Sequence, residues 1–187
     1  MGFESLPGSF RMPRTLVALL VLLALGGAVI AGCGGDDSSG EAAATATATP
    51  EPDDIGAIVG GISEDTKSKP KIVAPQGQPP GRLVKRDIVT GKGKRAKPGD
   101  TLTMQYVGVS WSTGEQFDAS WDHGQPFPFK LGAGMVIPGW DKGMVGMRKG
   151  GRRLLVIPPE MGYGPTGQGP IGPNETLIFA VDLVDIG

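Results

Sequence analysis

One short stretch constrains the possible folds most, because it is a helical pattern within a region otherwise made of strands. Residues 135–140 read Met-Val-Ile-Pro-Gly-Trp. Pro138 suits the first turn of a helix, where its missing N–H has no intrahelical acceptor to lose. Trp140 and Met144 are four residues apart and share one face of that helix. On this pattern alone, Trp140 is either an ordinary core residue or the floor of an apolar pocket between the helix and the strands.

The sequence around this helix predicts short strands joined by turns. In the second strand Leu102, Met104 and Tyr106 alternate with polar residues, which is the pattern of a half-buried strand. The predicted strands are Leu83–Val89, Thr101–Ser110, Glu115–Ser120, Phe127–Leu131, Arg152–Pro158 and Thr176–Ile186. The 32 Gly and 17 Pro residues fit the many turns that such a fold needs. Strands with one short helix predict an α+β fold, in which an antiparallel sheet packs on the helix.

Residue counts and charge exclude several classes of function. The chain has one Cys and one His, so a disulfide framework, a Cys/His zinc site and a Cys-His catalytic dyad are all unsupported. Residues 81–187 hold 13 basic and 10 acidic residues, a surplus that is ordinary for a domain and does not indicate nucleic acid. Residues 34–66 hold eight acidic residues and no Lys or Arg.

The N-terminal residues predict an export signal. Arg11 and Arg14 precede an unbroken apolar run from Leu16 to Ile30, which is shorter than the roughly 20 residues of a membrane-spanning helix. The run ends Ile-Ala-Gly-Cys, a junction that resembles the bacterial lipobox, where the signal is cut before a lipidated cysteine. We therefore expect a signal peptide over residues 1–32 and a lipid anchor on Cys33 at the outer face of the bacterial cell membrane. An incidental Cys33 in an uncleaved anchor is the alternative, and both Met1 and Met12 remain possible starts.

The segment after Cys33 has the composition of a disordered tether. Residues 34 to about 70 are mostly Gly, Ser, Ala, Thr, Pro and acid, with too few large apolar groups to offset the entropy of folding. Its one apolar patch is residues 55–62, which could dock weakly elsewhere. We predict a lipidated cysteine and tether over residues 33–70, followed by a folded domain over residues 71–187.

Six motifs in the folded region resemble, in order and spacing, the FKBP-type peptidyl-prolyl isomerases. They are residues 105–108 (Gln-Tyr-Val-Gly), 117–120 (Phe-Asp-Ala-Ser), 126–132 (Pro-Phe-Pro-Phe-Lys-Leu-Gly), 136–140 (Val-Ile-Pro-Gly-Trp), 159–164 (Pro-Glu-Met-Gly-Tyr-Gly) and 176–179 (Thr-Leu-Ile-Phe). None of these motifs is specific by itself, but six together are. The resemblance covers residues 71–187 and leaves no room for a second domain.

The resemblance implies a half-wrapped antiparallel sheet around one short helix, with an apolar pocket between them. It assigns catalysis to Trp140 as the floor under the substrate proline, to Tyr163 and the Ile137 N–H as donors to ligand carbonyls, and to the Asp118 carboxylate at the wall. The substrate-binding positions that it implies are Tyr106, Phe117, Phe127, Val136, Ile171 and Phe179.

Rotation about an X-Pro bond suits such a pocket, because it requires no covalent chemistry. Amide resonance sets a barrier of about 18–20 kcal/mol, and no nucleophile, metal or cofactor is needed to lower it. The sequence also departs from the family pattern in ways that bear on ligand preference. His123 stands where a basic residue usually contacts Asp118, Met135 where Glu or Gln is common, and Gln168 where His is often found. The loop that carries Ile171 is one residue shorter than the pattern.

These observations favour a lipid-anchored, exported prolyl isomerase that uses no cofactor. Its expected partners are unfolded or loop X-Pro segments of exported proteins, the family's macrolide ligands, and the membrane through the anchor, but not nucleic acid. The alternative is a membrane-tethered chaperone or binding module that keeps the fold with little isomerase activity. A purely structural lipoprotein is disfavoured, because it has no need for this aromatic set.

Overall fold

The computed structural model describes residues 55–187, so the predicted signal peptide and Cys33 lie outside the described residues. The elements are α1 (Gly56–Gly61), β1 (Val84–Val89), β2 (Thr101–Ser110), β3 (Gln116–Ala119), a 3-10 turn (Ser120–His123), β4 (Phe127–Lys130), α2 (Pro138–Gly143), β5 (Arg152–Ile157), a second 3-10 turn (Pro159–Met161) and β6 (Leu177–Ile186). Neither α1 nor α2 has the length and apolarity required to cross a bilayer. The predicted strands and the helix that begins at Pro138 are confirmed to within about a residue or two.

The six strands form one antiparallel sheet in the order β1-β5-β6-β2-β3, with β4 also paired to β2. Strand β2 pairs with β6 along one edge from Leu102 to Ser110. Its other edge is divided, because β4 pairs with its first half and β3 with its second half. This arrangement brings β3 and β4, which are short and distant from β6 in sequence, to the end of the sheet where the pocket lies.

One face of the sheet packs on α2 and forms the main core. The alternating residues of β2 and β6 that were predicted to share a face lie together in this core. They are Leu102, Met104, Tyr106, Leu177, Phe179, Val181 and Leu183. Trp140 and Met144 reach the same cluster from α2. The predicted α+β architecture, an antiparallel sheet packed on one short helix, is therefore confirmed.

The opposite face of the sheet is covered by the segment that precedes the domain in sequence. Ile55, Ile58, Ile62 and Ile72 are buried there against the residues of β2, β5 and β6 that point away from α2. The predicted disorder therefore does not hold for residues 55–70. The reason is spacing rather than composition: the first three isoleucines fall on one side of the short helix α1, which lets a sparse apolar segment cover a sheet face.

Two arginines at the start of β5 point to opposite faces of the sheet and contact the segments that pack there. Arg153 points toward α2, where its guanidinium donates to the carbonyls of Gly143 and Val145 at 2.8 and 3.3 Å. A cation there suits the end of a helix, whose last carbonyls lack backbone donors. Arg152 points to the opposite face and is fully buried. The sheet is thus covered on both sides, and α2 is anchored in place beneath the pocket.

Candidate active site

An apolar cavity of about 750 Å³ opens between α2, the second half of β2 and the loop after β5. Its volume is within the usual range for small-ligand sites. The lining residues are Tyr106, Phe117, Asp118, Phe127, Gly134, Met135, Val136, Ile137, Trp140, Tyr163, Gln168, Gly169, Pro170, Ile171 and Phe179. All ten pocket positions predicted from the sequence are among them, brought together from six separate parts of the chain.

Trp140 forms the floor of the cavity. Its ring packs edge-on against Tyr106 and Phe179, with centroids 5.1 and 5.3 Å apart. These perpendicular contacts are favourable between aromatic rings and hold the indole in one orientation. The buried Trp140 Nε1 has no hydrogen-bond partner among the described residues.

The aromatic walls depend on close approach between β2 and its neighbours. Gly108 lies opposite Phe179 of β6 and Asp118 of β3. A Cβ on Gly108 would come within 2.7 Å of the rings of Phe117 and Phe179. Those two rings are themselves in edge contact at 5.4 Å. The absence of a side chain on Gly108 therefore leaves space for both pocket rings above the strand.

A carboxylate is held at the pocket wall by two side chains. The Tyr106 hydroxyl donates to Asp118 Oδ2 at 2.5 Å, and His123 Nε2 lies 3.0 Å from Asp118 Oδ1. Burial by itself raises the pKa of Asp118, but the hydrogen bonds from Tyr106, His123 and the Ala119 backbone, with the His123 charge, outweigh it, so the pKa lies below its ordinary value. Asp118 is consequently a carboxylate at neutral pH. His123 is exposed, as its polar loop predicts, and it also takes the place of the family's basic partner for Asp118.

Two further lining residues, Ile137 and Tyr163, carry groups that can donate to a ligand carbonyl. Ile137 immediately precedes α2, where N–H groups have no intrahelical acceptor. Burial, with a smaller contribution from the Asp118 charge, raises the pKa of Tyr163, so its hydroxyl keeps its proton. Tyr163 stands on the loop after β5, where Gly164 N–H donates to Pro159 O at 2.8 Å and orders the backbone. The site therefore combines an apolar floor with neutral donors.

Asp141, which the sequence motifs do not single out, supports the pocket from α2. Its carboxylate accepts from the N–H groups of Gly132 and Gly134 at 2.8 and 2.9 Å. These bonds hold the loop that places Met135, Val136 and Ile137 in the cavity wall. The signal was present in the sequence as an acidic residue in the first turn of the helix, but the N–H groups that donate to it lie outside the helix. No group of three His, Cys, Asp or Glu side chains within residues 55–187 is placed to hold a metal ion.

An antiparallel sheet half-wrapped around a short helix, with an aromatic pocket floored by tryptophan, defines a class of α+β domain with a site for a small apolar group. Comparison with known proteins then gives the family. Residues 92–184 match the family model for the FKBP-type peptidyl-prolyl cis-trans isomerase. An FK506-binding protein of Streptomyces anulatus is 52% identical over 120 residues, which cover 63% of this chain and 97% of that protein. A probable FK506-binding protein of Corynebacterium glutamicum is 48% identical over 116 residues and is likewise covered over 97% of its length.

Solved structures agree with this match. The crystal structure of AtFKBP13 has a TM-score of 0.53 and 35% identity, over 62% of this chain and 97% of that one. FkpA from Escherichia coli has a TM-score of 0.52 and 36% identity, over 67% of this chain and 51% of that one. The chain belongs to the FKBP-type peptidyl-prolyl cis-trans isomerase family, and its enzymatic activity is that of a peptidyl-prolyl cis-trans isomerase.

Proposed function

We propose that the pocket accelerates X-Pro rotation without covalent chemistry, by binding the twisted amide better than either planar isomer. The observation that carries this proposal is the tryptophan floor enclosed by aromatic rings, in a cavity that Ile137 and Tyr163 also line. A water-poor aromatic site weakens amide resonance, because that resonance is strongest when water solvates the carbonyl oxygen. Lowering the barrier by about 5 kcal/mol would accelerate rotation several thousand-fold.

Each catalytic side chain has a distinct role in this proposal. Trp140 supports the proline ring, while the Ile137 N–H and the Tyr163 hydroxyl donate to carbonyls that flank the rotating bond. Asp118 faces the same cavity as a carboxylate, and its negative charge at the wall favours the positive end of the substrate's amide dipole. Tyr106, Phe117, Phe127, Val136, Ile171 and Phe179 exclude water and shape the site.

The test is prolyl isomerisation of short Xaa-Pro peptides by the full chain in detergent micelles. We expect Tyr163→Phe to lower kcat/KM by about two- to tenfold, the value of one hydrogen bond. Trp140→Leu should lower it further, and Asp118→Asn should lower it while retaining the size of the side chain. Circular dichroism shows whether each variant is folded. Folded Trp140→Leu and Asp118→Asn variants with unchanged rates would contradict the assigned roles.

We further propose that the natural substrates are X-Pro segments of exported proteins, reached from a lipid anchor on Cys33 at the outer face of the bacterial cell membrane. The support is the sequence alone: a basic and then apolar leader that ends in a lipobox-like junction. Fractionation of cells that express the chain, with mass spectrometry of the N-terminal peptide, tests this. A Cys33→Ser variant should lose the lipid mass and leave the membrane fraction. Recovery of unmodified Cys33 in the wild-type protein would contradict the anchor.

Macrolide binding is a related proposal, supported by the names of the relatives, which are FK506-binding proteins. The ligand would occupy the same pocket, and so FK506 should inhibit peptide isomerisation competitively. Met135 and the short loop that carries Ile171 alter the pocket edge, and they are the places where affinity would depart from that of the relatives. Isothermal titration of FK506 into wild type and Met135→Gln measures this difference.

A chaperone or binding function is the second candidate, favoured by apolar side chains at the pocket edge. Phe127 is 40% exposed and Met135 is 69% exposed, although both line the cavity. Such a surface suits unfolded chains with or without proline. Suppression of aggregation by a Trp140→Leu variant that has lost isomerase activity would favour this function. Loss of both activities together would favour the isomerase.

A further inference from the structure

The segment from Ile55 to Ile72, named here the strap, lies outside residues 92–184 that match the family model. Its four buried isoleucines pack on the sheet face opposite the pocket. In the same cluster are Trp111 and Ala119, and Trp121 of the 3-10 turn packs against it. The strap therefore contacts both the sheet and the turn that follows β3.

A buried arginine fastens the middle of the strap. Arg152 donates to the backbone carbonyls of Ser63 and Ser68 at 2.6 and 2.9 Å. The same guanidinium makes two bonds to the buried carboxylate of Asp182, at 2.6 and 2.7 Å. Because these bonds satisfy a fully buried charge, the strap carbonyls have a fixed position on the sheet. The residue that follows Ser68 is thereby held in a fixed place.

That residue, Lys69, bridges the strap to the pocket end of the sheet. Its Nζ lies 2.6 Å from Asp122 Oδ1, in the 3-10 turn. The other oxygen of Asp122 accepts from Gln116 Nε2 at 2.8 Å. Gln116 is the first residue of β3, the strand that carries Phe117 and Asp118 into the pocket. Asp122 thus joins the strap to both ends of the β3 segment.

The opposite side of this turn supports the pocket carboxylate. Ser120 Oγ accepts from the Tyr106 N–H at 2.8 Å, which ties the start of the turn to β2. His123, at the end of the turn, contacts Asp118 at 3.0 Å. The charged groups around His123 are Asp118 of β3, Asp122 of the turn and Lys69 of the strap, which pairs with Asp122. A displacement of Asp122 therefore moves the adjacent His123, which contacts the Asp118 carboxylate.

We propose that Lys69 is a positioning residue for the isomerase pocket, acting through Asp122 and His123 on Asp118. The strap then has a second role besides covering the sheet, since it helps to fix the position of the Asp118 side chain. This inference rests on the proposed role of Asp118 in isomerisation. The Lys69 and Asp122 side chains are 38% and 50% exposed, so the effect is that of a surface ion pair.

The test uses the full chain in detergent micelles and two measurements. Lys69→Gln should lower kcat/KM by about two- to fivefold, the range of an exposed ion pair, and Lys69→Arg should restore it. The second measurement is the NMR signal of the imidazole Cε1–H, which comes from His123 alone because the chain has one histidine. That signal should shift in Lys69→Gln and return toward the wild-type position in Lys69→Arg.

The matched control is Lys149→Gln, which removes another exposed ion pair, that with Asp185, away from the pocket lining. It should change neither the rate nor the histidine signal. If Asp118→Asn lowers the rate and Lys69→Gln changes neither readout, the positioning role is contradicted. If Asp118→Asn leaves the rate unchanged, the proposed role of Asp118 fails, and the histidine signal in Lys69→Gln still decides whether the strap positions the turn.

Discussion

At the scale of single residues, the pocket combines one charge with side chains that stay neutral. Asp118 remains ionised because Tyr106 and His123 donate to it, and this carboxylate in turn contributes to keeping the nearby phenols protonated. Burial is the larger influence on both phenols. A protonated phenol can donate to a carbonyl, whereas a phenolate cannot, so the electrostatics of the site suit the binding of an amide.

Tyrosine titration checks this arrangement. Burial raises the pKa of Tyr106 and Tyr163 above the ordinary value of about 10; the hydrogen bond to Asp118 adds to this for Tyr106, and the Asp118 charge adds to it for both. These are both of the tyrosines in the chain, so absorbance at 295 nm reports on no other. We expect the native protein to form less phenolate at pH 10.5 than the protein unfolded in urea.

The same shift determines how stability depends on pH. Above about pH 10 the unfolded chain releases tyrosine protons that the native state retains, so the unfolded state binds fewer protons. The free energy of unfolding should therefore fall as the pH rises above 10. Identical titration curves for native and unfolded protein would contradict the burial of the two hydroxyls.

At the scale of elements, the pocket floor depends on how closely α2 approaches the sheet. Gly139 and Gly143, one turn apart, face Ile157 and Leu155 of β5. Glycines weaken a helix, but at these positions their small size lets the helix backbone lie near the strand. Arg153 completes the arrangement by donating to the carbonyl of Gly143. Trp140 then lies between the two glycines in sequence and is buried beneath the cavity.

Gly139→Ala tests this packing. The new Cβ would lie 2.4 Å from Ile157 Cγ2, so the helix must move away from β5. We expect a loss of about 1–3 kcal/mol from overpacking, partly offset by the higher helix propensity of alanine. The control is Gly60→Ala in α1, where a Cβ meets nothing within 4 Å and stability should be unchanged or rise. Urea unfolding that shows equal stability changes for the two variants would contradict the close contact.

At the scale of the whole domain, α2 packs on one face of the sheet and the strap on the other. A buried ion pair of the sheet also contacts the strap. Arg152 and Asp182 lie on adjacent strands β5 and β6, on the face beneath the strap. Burial raises the pKa of Asp182 despite its contact with Arg152. Such a pair as a whole contributes little to the free energy of unfolding. Removing one partner is nonetheless strongly destabilising, because it leaves the other as an unpaired buried charge.

Arg152→Met should therefore destabilise the domain by about 3–5 kcal/mol, since it leaves the Asp182 carboxylate without its partner. Lys149→Met, which removes an exposed pair, should cost no more than about 1 kcal/mol. Chemical denaturation at neutral pH compares the two. Should Arg152→Met be too unstable to purify, Asp182→Asn gives a milder measure of the same pair. If Arg152→Met and Asp182→Asn each lower the free energy of unfolding by less than 1 kcal/mol, the buried ion pair does not have the expected effect on stability.

The local pattern of the sequence was sufficient to predict the strands and the helix at Pro138. Alternation in β2 and β6 identifies one buried face, and the spacing of Trp140 and Met144 identifies one face of the helix. These features depend on residues that are close in the chain, so they can be recognised without knowing what packs on them. The motifs then place Tyr106, Phe117, Asp118 and Tyr163 in one site through the resemblance to a known family.

Only the tertiary structure decided that residues 55–70 are ordered, that Arg152 is a buried anchor for them, that Asp141 binds the loop before α2, and that Lys69 pairs with the turn after β3. Arg152 contacts Ser63 and Ser68, which are 89 and 84 residues away in the chain. Nothing local distinguishes such an arginine from a solvated one. Its role depends on which sheet face remains open and on which segment covers it, and those are properties of the assembled domain rather than of any stretch of sequence.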